Sequence, residues 1–167
     1  MQLALKKMRK KNLPPKKDSE ENRSLAFNYS LKYLSYRDHS IKEVYDYLLR
    51  KNFIEDTINS VLKRLIDLKF LNDEEFAKAW VESRQKHRGK SKFILKHELQ
   101  MKGIDGGMID HALKGAQDDL ETARILFDKQ KNKYTKLSIF EFRNKMGAFL
   151  QRRGFPFEII SKLLKEH

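Results

Sequence analysis

Histidine and acidic side chains are the residues of this chain that could support acid–base or metal chemistry, so their spacing comes first. Only His87 and His97 lie close together, and ten residues with an intervening turn is not a metal-ligand spacing. The chain has no cysteine, which excludes thiolate metal sites and cysteine nucleophiles. Phosphate-binding glycine loops, the nucleophile elbow and the HExxH motif are also missing. We therefore predict no catalytic residue, no metal site and no cofactor, with the histidines solvated or at helix ends.

Basic side chains form the second chemically informative pattern. The first basic cluster contains no acid and consists of Arg84, Lys86, Arg88, Lys90, Lys92 and Lys96. The second basic cluster flanks Tyr134 and consists of Lys129, Lys131, Lys133 and Lys136. Side chains of this type contact phosphates or the acidic surface of a protein.

The composition as a whole is that of a basic, helical protein. The 167 residues include 36 Lys+Arg and 23 Asp+Glu, which gives a net charge of +13 and favours a polyanionic partner. Seven glycines and three prolines are few for the many turns of a β-sandwich. No apolar run approaches the roughly 18 residues of a membrane span, and the start of the chain is too short in apolar residues for a secretory signal. We expect a cytoplasmic protein with no membrane partner.

An internal repeat with an offset of 51 residues organises the chain. It aligns Leu48–Phe53 with Leu99–Ile104 and with Leu150–Phe155. Further apolar positions share the offset: Val44, Leu95 and Met146; Ile58, Ile109 and Ile160; Leu62, Leu113 and Leu164. In the third unit the register towards the N-terminus is restored only after an insertion near residues 129–136. Such a period is typical of proteins built from stacked helical units.

Each unit is predicted to form three helices, so the fold class is all-α. Four helix starts carry a capping residue with an acid three positions later: Ser40 with Glu43, Asn72 with Glu75, Asp118 with Glu121, and Ser138 with Glu141. A left-handed stop residue is expected at Asn52, Gly103 and Gly154, and Pro156 is expected to open the last helix. The predicted helices cover residues 19–36, 41–51, 55–69, 73–87, 92–102, 106–115, 118–131, 139–153 and 156–166.

The predicted domain organisation is a basic N-terminal arm followed by three tandem repeats. The arm covers residues 1–18, and the repeats cover residues 19–71, 72–116 and 117–167. One unit of this size is marginal as a free domain, whereas stacking three would bury their remaining apolar faces. We expect an elongated, curved body.

The two basic clusters occupy the connection between the first and second helices of consecutive repeats. This equivalence favours a basic track that contacts phosphates or an acidic protein groove. The alternative is a solvated, lysine-rich surface without a partner.

Four segments resemble motifs of the bacterial RecX family, which regulates the RecA recombinase. Tyr33–Ser40 resembles its L-x-x-R-x-x-S, and Asn72–Ala77 resembles its D-D-x-x-F-A. Glu98–Ile104 resembles its E-L-x-x-K-G-I, and Arg152–Phe155 resembles its R-R-G-F. The motifs stand in order from about residue 24 to the end. The chain departs from the family at the G-x-G-P turn, of which only Gly89 remains.

The resemblance implies a non-catalytic regulator that binds the RecA–DNA filament and dampens its ATP hydrolysis, strand exchange and co-protease activity. Such a protein acts in DNA recombination, repair and the SOS response. We expect a monomer that also binds single- and double-stranded DNA weakly and without sequence preference. The predicted partner- or DNA-binding residues are Arg37, Arg84, Lys86, Arg88, Lys90, Lys92, Lys96, Lys129, Lys131, Lys133, Lys136, Arg152 and Arg153. Arg37 could equally pair with an acid of its own repeat.

Two other classes of function share the same helical units. A direct DNA-binding protein of homeodomain-like units would need Arg, Asn or Gln side chains in register on its third helices. The predicted third helices Thr57–Lys69 and Met108–Lys114 show no shared set of such residues. The other class is a helical-repeat scaffold for some other protein, and an enzyme is the remaining alternative.

Overall fold

The structure, a computed structural model, describes residues 17–167, and every regular element in that range is helical. The helices are α1 (Glu20–Leu34), α2 (Ile41–Arg50), α3 (Glu55–Asp67), α4 (Asp73–Arg88), α5 (Lys92–Met101), α6 (Gly106–Lys114), α7 (Asp119–Lys131), α8 (Ile139–Gln151) and α9 (Phe157–Lys165). A 3₁₀ turn, Asn132–Tyr134, follows α7 within the predicted insertion. The all-α prediction is confirmed. The basic arm predicted at residues 1–18 lies outside the described residues except for its last two positions.

The predicted helix starts are present because short polar side chains cap free backbone N–H groups. Ser40 and Ser138 each form a capping box with the glutamate three residues later. Asn72 accepts hydrogen bonds from the backbone of the first turn of α4, and Asp118 does the same for α7. Pro156 differs from the prediction. It is the N-cap of α9 rather than its first helical residue, and its carbonyl accepts the N–H of the fourth residue that follows.

A repeated stop ends the middle helix of each three-helix unit. The backbone is left-handed at all three predicted positions, with φ of 65°, 76° and 82° at Asn52, Gly103 and Gly154. The next residue is buried in each case and donates its N–H back into the helix that has just ended: Phe53 to Leu48, Ile104 to Leu99 and Phe155 to Leu150. This is the geometry that ends a helix while returning an apolar side chain to the core. Lys69, with φ 60°, ends α3 in the same conformation and was not predicted.

The described chain forms two compact units, one ending at Phe76 and the other spanning Ala77–His167. In the first unit α1, α2 and α3 pack against one another around a core that includes Val44, Leu48 and Leu65. In the second unit α5 packs on α6, and α7, α8 and α9 form a second set of three. Three alanines at corresponding places in the first helix of each repeat are fully buried, namely Ala26, Ala77 and Ala123.

A carboxylate at the first position of α4 and of α7 joins consecutive helical units. Asp73 accepts a hydrogen bond of 2.9 Å from the backbone N–H of Ile41 at the start of α2. Asp119 accepts one of 2.9 Å from Lys92 at the start of α5. Burial raises the pKa of both carboxyls, and the backbone hydrogen bond offsets only part of that effect. Each carboxylate thus satisfies a helix-start N–H of the preceding repeat at the expense of its own hydration.

Replacing Asp119 with asparagine tests the contact between Asp119 and the start of α5 through the pH dependence of protein stability. The folded protein holds the Asp119 proton more tightly than the unfolded chain, whose aspartates titrate near 3.9. The contribution of this group to the free energy of unfolding is therefore largest at low pH and declines as pH rises through the raised folded pKa. We expect the difference in melting temperature between wild type and Asp119→Asn to change as pH rises from the unfolded pKa through the raised folded pKa of Asp119, and to be constant above it. A difference in melting temperature that is independent of pH would contradict the raised pKa of Asp119.

Candidate partner-binding cleft

A cleft with a volume of about 1030 Å³ opens in the second unit, and some residues of each basic cluster line it. Its walls are the C-terminal half of α4 with the turn that follows, the end of α6, part of α7, and the turn between α8 and α9. Six of the predicted binding residues line it: Lys86, Arg88, Lys90, Lys129, Arg152 and Arg153. Lys86 and Arg153, which are 67 residues apart in the sequence, therefore line the same cleft.

Two contacts fix the distance between the walls that α4 and α7 contribute. Gln85 Nε2 donates to the carbonyl of Gln117 at 3.1 Å, and the Gln117 N–H donates to Gln85 Oε1 at 3.0 Å. Gly89 turns the chain after α4 with φ 54°, and a Cβ at this position would lie 2.6 Å from the Leu126 side chain. Only glycine combines this left-handed turn with so close an approach to α7.

Ser91 makes two hydrogen bonds to the turn that carries Arg152 and Arg153. Its side chain is fully buried, and its Oγ donates to the Gly154 carbonyl at 2.8 Å. Its backbone N–H donates to the Arg153 carbonyl at 3.0 Å. The same Oγ caps α5 by accepting the Ile94 N–H. One residue therefore begins α5 and holds the arginine-bearing turn beside it.

Arg153 is the most constrained cation of the cleft. Its Nη1 donates to the Phe149 carbonyl at 3.2 Å, and its guanidinium carbon lies 3.8 Å from the centre of the Phe149 ring. Its Nε is buried without a hydrogen-bond partner among residues 17–167. Burial lowers the pKa of this arginine, and the neighbouring charge of Arg152 lowers it further. The site thus holds a positive charge that an anion would stabilise.

Five further cations of the cleft also lack an acidic partner. No carboxylate of the described chain lies within 4.0 Å of the charged groups of Lys86, Arg88, Lys90, Lys129 or Arg152. Glu82 is the one acid among the lining residues, all of which belong to the described chain. Such a concentration of one sign of charge in a concave site attracts anions.

The other predicted site residues do not line the cleft. Arg37 forms an ion pair of 2.8 Å with Glu43, and this hydrogen bond raises the pKa of the arginine. Since Glu43 also belongs to the capping box of α2, Arg37 acts within its own repeat. The remainder are Arg84, Lys92, Lys96, Lys131, Lys133 and Lys136, of which Lys96 pairs with Asp110 and Lys131 with Asp128.

Arg84 belongs to a separate cluster around Trp80. Its guanidinium lies 4.1 Å from the centre of the indole ring, and its Nε lies 3.3 Å from Glu98 Oε2. The indole N–H donates to the same Glu98 oxygen at 2.9 Å, and Lys102 lies over the ring at 4.2 Å. This cluster ties α4 to α5 and neutralises the charge of Arg84.

Sequence reasoning missed several residues of the cleft. Lys78, Glu82 and Gln85 line the cleft at spacings of four and three, which places them on one face of α4. This helical spacing could have identified the three residues from the sequence. His39 lies at a helix end, directly before the N-cap of α2, where it is buried with its ring 3.8 Å from that of Tyr33.

Two searches of the described residues bear on other classes of site. Within residues 17–167, no three His, Asp or Glu side chains are grouped so that they could hold a metal ion. No helix in that range is both long and apolar enough to span a membrane. A basic cleft is therefore the site that the described side chains define most clearly.

The fold and the cleft define a protein of tandem three-helix units with an exposed concentration of positive charge. Models of the first, second and third three-helix domains of RecX match residues 26–65, 72–113 and 117–164. The chain belongs to the RecX family.

Individual relatives support the assignment. The chain is 40% identical over 147 residues to the regulatory protein RecX of Bacillus pumilus and 39% identical over 143 residues to that of Bacillus subtilis. Each alignment covers 84% of this chain and 54% of the relative, so the chain spans about half the length of these curated relatives. The crystal structure of RecX from Lactobacillus salivarius superposes with a TM-score of 0.74 at 31% identity, covering 89% of this chain and 97% of that one.

Proposed function

We propose that this chain is a non-catalytic, cytoplasmic regulator that binds the DNA-loaded filament of the RecA recombinase and lowers its ATPase, strand-exchange and co-protease activities. Membership of the RecX family supports the kind of partner, since the relatives are named regulatory proteins. The observation that carries the proposal is the basic cleft in the second unit, where Lys86, Arg88, Lys90, Lys129 and Arg152 make no ion pair within the described chain. A RecA–DNA filament presents phosphates and acidic protein surface, both of which complement such a cleft.

Regulation by binding fits the chemistry of the described side chains better than catalysis does. The charged groups of the cleft are nearly all basic, and its one acid has no second acid beside it in the lining. Acid–base chemistry in a cleft would require a proton acceptor that is tuned by its neighbours. Binding requires only exposed cations, and it gives weak, sequence-independent affinity for free DNA as well. We propose that the chain acts as a monomer.

The direct test is a RecA ATPase and strand-exchange assay with increasing amounts of this chain. We expect both activities to fall as the chain approaches the concentration of RecA, because each regulator molecule occupies part of the filament. The inhibition should weaken as salt rises from 50 to 200 mM, since contacts of lysine and arginine with phosphates are salt-sensitive. Full activity at several-fold excess of the chain over RecA would contradict the proposal.

A further inference from the structure

We propose that the cleft of the second unit is a docking groove for an acidic, amphipathic helix of a partner protein, and that Ile125 on α7 contacts the apolar face of that helix. The inference rests on the proposed function, because it uses the cleft that would face the RecA filament. It goes further by assigning a protein helix, rather than DNA, as the occupant and one apolar side chain as a determinant of specificity.

The floor of the cleft is aliphatic, although its rim is basic. Val81 and Ala112 line the cleft and are buried, and the partly buried Leu126 lies beside them in the lining. Ile125 also lines the cleft, and 41% of its surface is exposed. The exposed cations of the lining are Lys86, Arg88, Lys129 and Arg152. A ligand that fills this cleft therefore meets apolar carbon at depth and positive charge near solvent.

Nucleic acid complements the rim of this cleft but not its floor. Phosphate groups are charged, and placing them against aliphatic side chains costs free energy that no hydrogen bond returns. Bases could cover apolar surface, but strand-binding grooves hold them on aromatic rings. No Phe, Tyr or Trp lines the cleft, whose lining residues are all described, and His87 is the only ring among them. Free DNA should therefore contact the rim alone.

Two helices each present one face to the cleft. The residues of α4 and α7 that form these faces are spaced by three and four positions, as side chains on one side of a helix are. They are Lys78, Val81, Glu82 and Gln85 on α4, and Thr122, Ile125, Leu126 and Lys129 on α7. A groove of this kind binds a third helix, which anchors itself through apolar side chains at the same spacing. Acidic residues beside that apolar stripe would meet the basic rim.

Charge complementarity indicates that the partner is acidic and is a different protein. Five cations of the lining make no ion pair within the described chain, namely Lys86, Arg88, Lys90, Lys129 and Arg152. A second copy of this chain carries a net charge of +13, and residues 1–16 contain lysine and arginine but no acid. Like charge opposes the binding of either of them in the cleft.

The test measures, by fluorescence anisotropy, how a labelled 14-residue peptide binds to wild type and to Ile125→Ser. The peptide contains only glutamate and leucine, and its leucines are three and four residues apart, so that a helix carries one apolar stripe. Serine leaves the charge of the cleft unchanged and has a helix propensity similar to that of isoleucine. We expect affinity for the peptide to fall about five-fold, because burial of the exposed part of Ile125 is lost.

The matched control is Ile66→Ser in the first unit. Ile66 is an isoleucine of α3 that is 42% exposed, so the substitution removes the same side chain from a surface of similar exposure. This variant should bind the peptide as wild type does. Circular dichroism verifies that both variants are folded. Equal losses of peptide affinity in the two variants would overturn the assignment of Ile125.

Two further probes separate the apolar contribution from the charge. In the first, glutamine replaces leucine in the peptide, which preserves the net charge and nearly the same helix propensity. This peptide should bind wild type about ten-fold more weakly than the leucine peptide does, and it should not distinguish wild type from Ile125→Ser. The second probe is a labelled 15-mer of thymidine, which should bind both proteins alike because it contacts only the rim.

The remaining outcomes decide between possible occupants. Equal binding of the two peptides to wild type would overturn the inference in favour of a site for any polyanion. A loss of affinity for the thymidine 15-mer in Ile125→Ser as large as that for the leucine peptide would overturn it in favour of DNA.

The RecA ATPase assay is run on the same proteins and keeps the inference separate from the proposed function. Half-inhibition should require about five-fold more Ile125→Ser than wild type, in proportion to the lost peptide affinity. Wild type that binds the leucine peptide without inhibiting RecA would contradict the proposed function alone. Inhibition of RecA without binding of the leucine peptide would overturn this inference alone.

Discussion

Replacing Gly154 with alanine is expected to lower the melting temperature of the second unit by about 10–25 °C. The backbone at Gly154 has φ 82°, which costs a residue with a Cβ about 1 kcal/mol. That Cβ would also overlap the Ile94 side chain and lie 2.6 Å from Ser91 Oγ. Crowding of this kind in a packed interior typically costs about 1–3 kcal/mol. Scanning calorimetry or thermal circular dichroism measures the effect.

The same substitution should also disturb the cleft, because Ser91 holds both Arg153 and Gly154 through their carbonyls. Pushing the turn away from α5 moves Arg152 and Arg153 with it. Inhibition of RecA should therefore weaken even at temperatures where the variant remains helical.

A matched control is available in Gly106→Ala. Gly106 is the first residue of α6, its φ is not positive, and nothing lies within 4 Å of a Cβ built there. Alanine should leave stability unchanged or raise it by up to about 1 kcal/mol, because it restricts the unfolded chain. If both alanine variants melted alike, close packing of Gly154 against α5 would not be the reason for glycine at that position.

The fold could be predicted from the sequence to the extent that its determinants are local. Capping residues and left-handed stops act within one helix turn. Ser40 therefore predicts where α2 begins, and Gly103 and Gly154 predict where α5 and α8 end. The 51-residue repeat strengthens these predictions, because the stop residues recur at the same position in each repeat. The hydrogen bonds that Asp73 and Asp119 accept from the preceding repeat are not local. Their partners, Ile41 and Lys92, lie 32 and 27 residues away, and no spacing rule links them.

The cleft could be predicted only in part, because a run of basic residues on a helix does not share one face. Successive residues are about 100° apart around an α-helix, so Arg84 and Lys86 point in nearly opposite directions. Lys86 lines the cleft, whereas Arg84 contacts Trp80 and Glu98. The neutralising acid stands 14 residues further along the chain, beyond a turn. Sequence spacing therefore found the basic region, and only the way that α4, the turn after it and α7 surround the cleft selects its members.

Removing the rim charges of the cleft is the second change with a large expected effect. The variant replaces Lys86, Arg88, Lys90 and Lys129 with alanine. Each exposed contact with a phosphate or carboxylate contributes up to about 1 kcal/mol, so the concentration needed to inhibit RecA should rise about 10–100-fold. The slope of log affinity against log salt for a single strand should become shallower by up to about 3, since each lost phosphate contact contributes about 0.7. Helix content should not change, because the four side chains make no ion pair within the described chain.

The decisive comparison removes four charges from the same two clusters but outside the cleft. Lys96, Lys131, Lys133 and Lys136 belong to those clusters and do not line the cleft. Replacing them with alanine lowers the net charge by the same amount, so any long-range attraction of DNA decreases equally in both variants. A larger loss of RecA inhibition in the rim variant then measures local contacts. Equal losses would mean that total charge, rather than the arrangement of cations around the cleft, governs regulation.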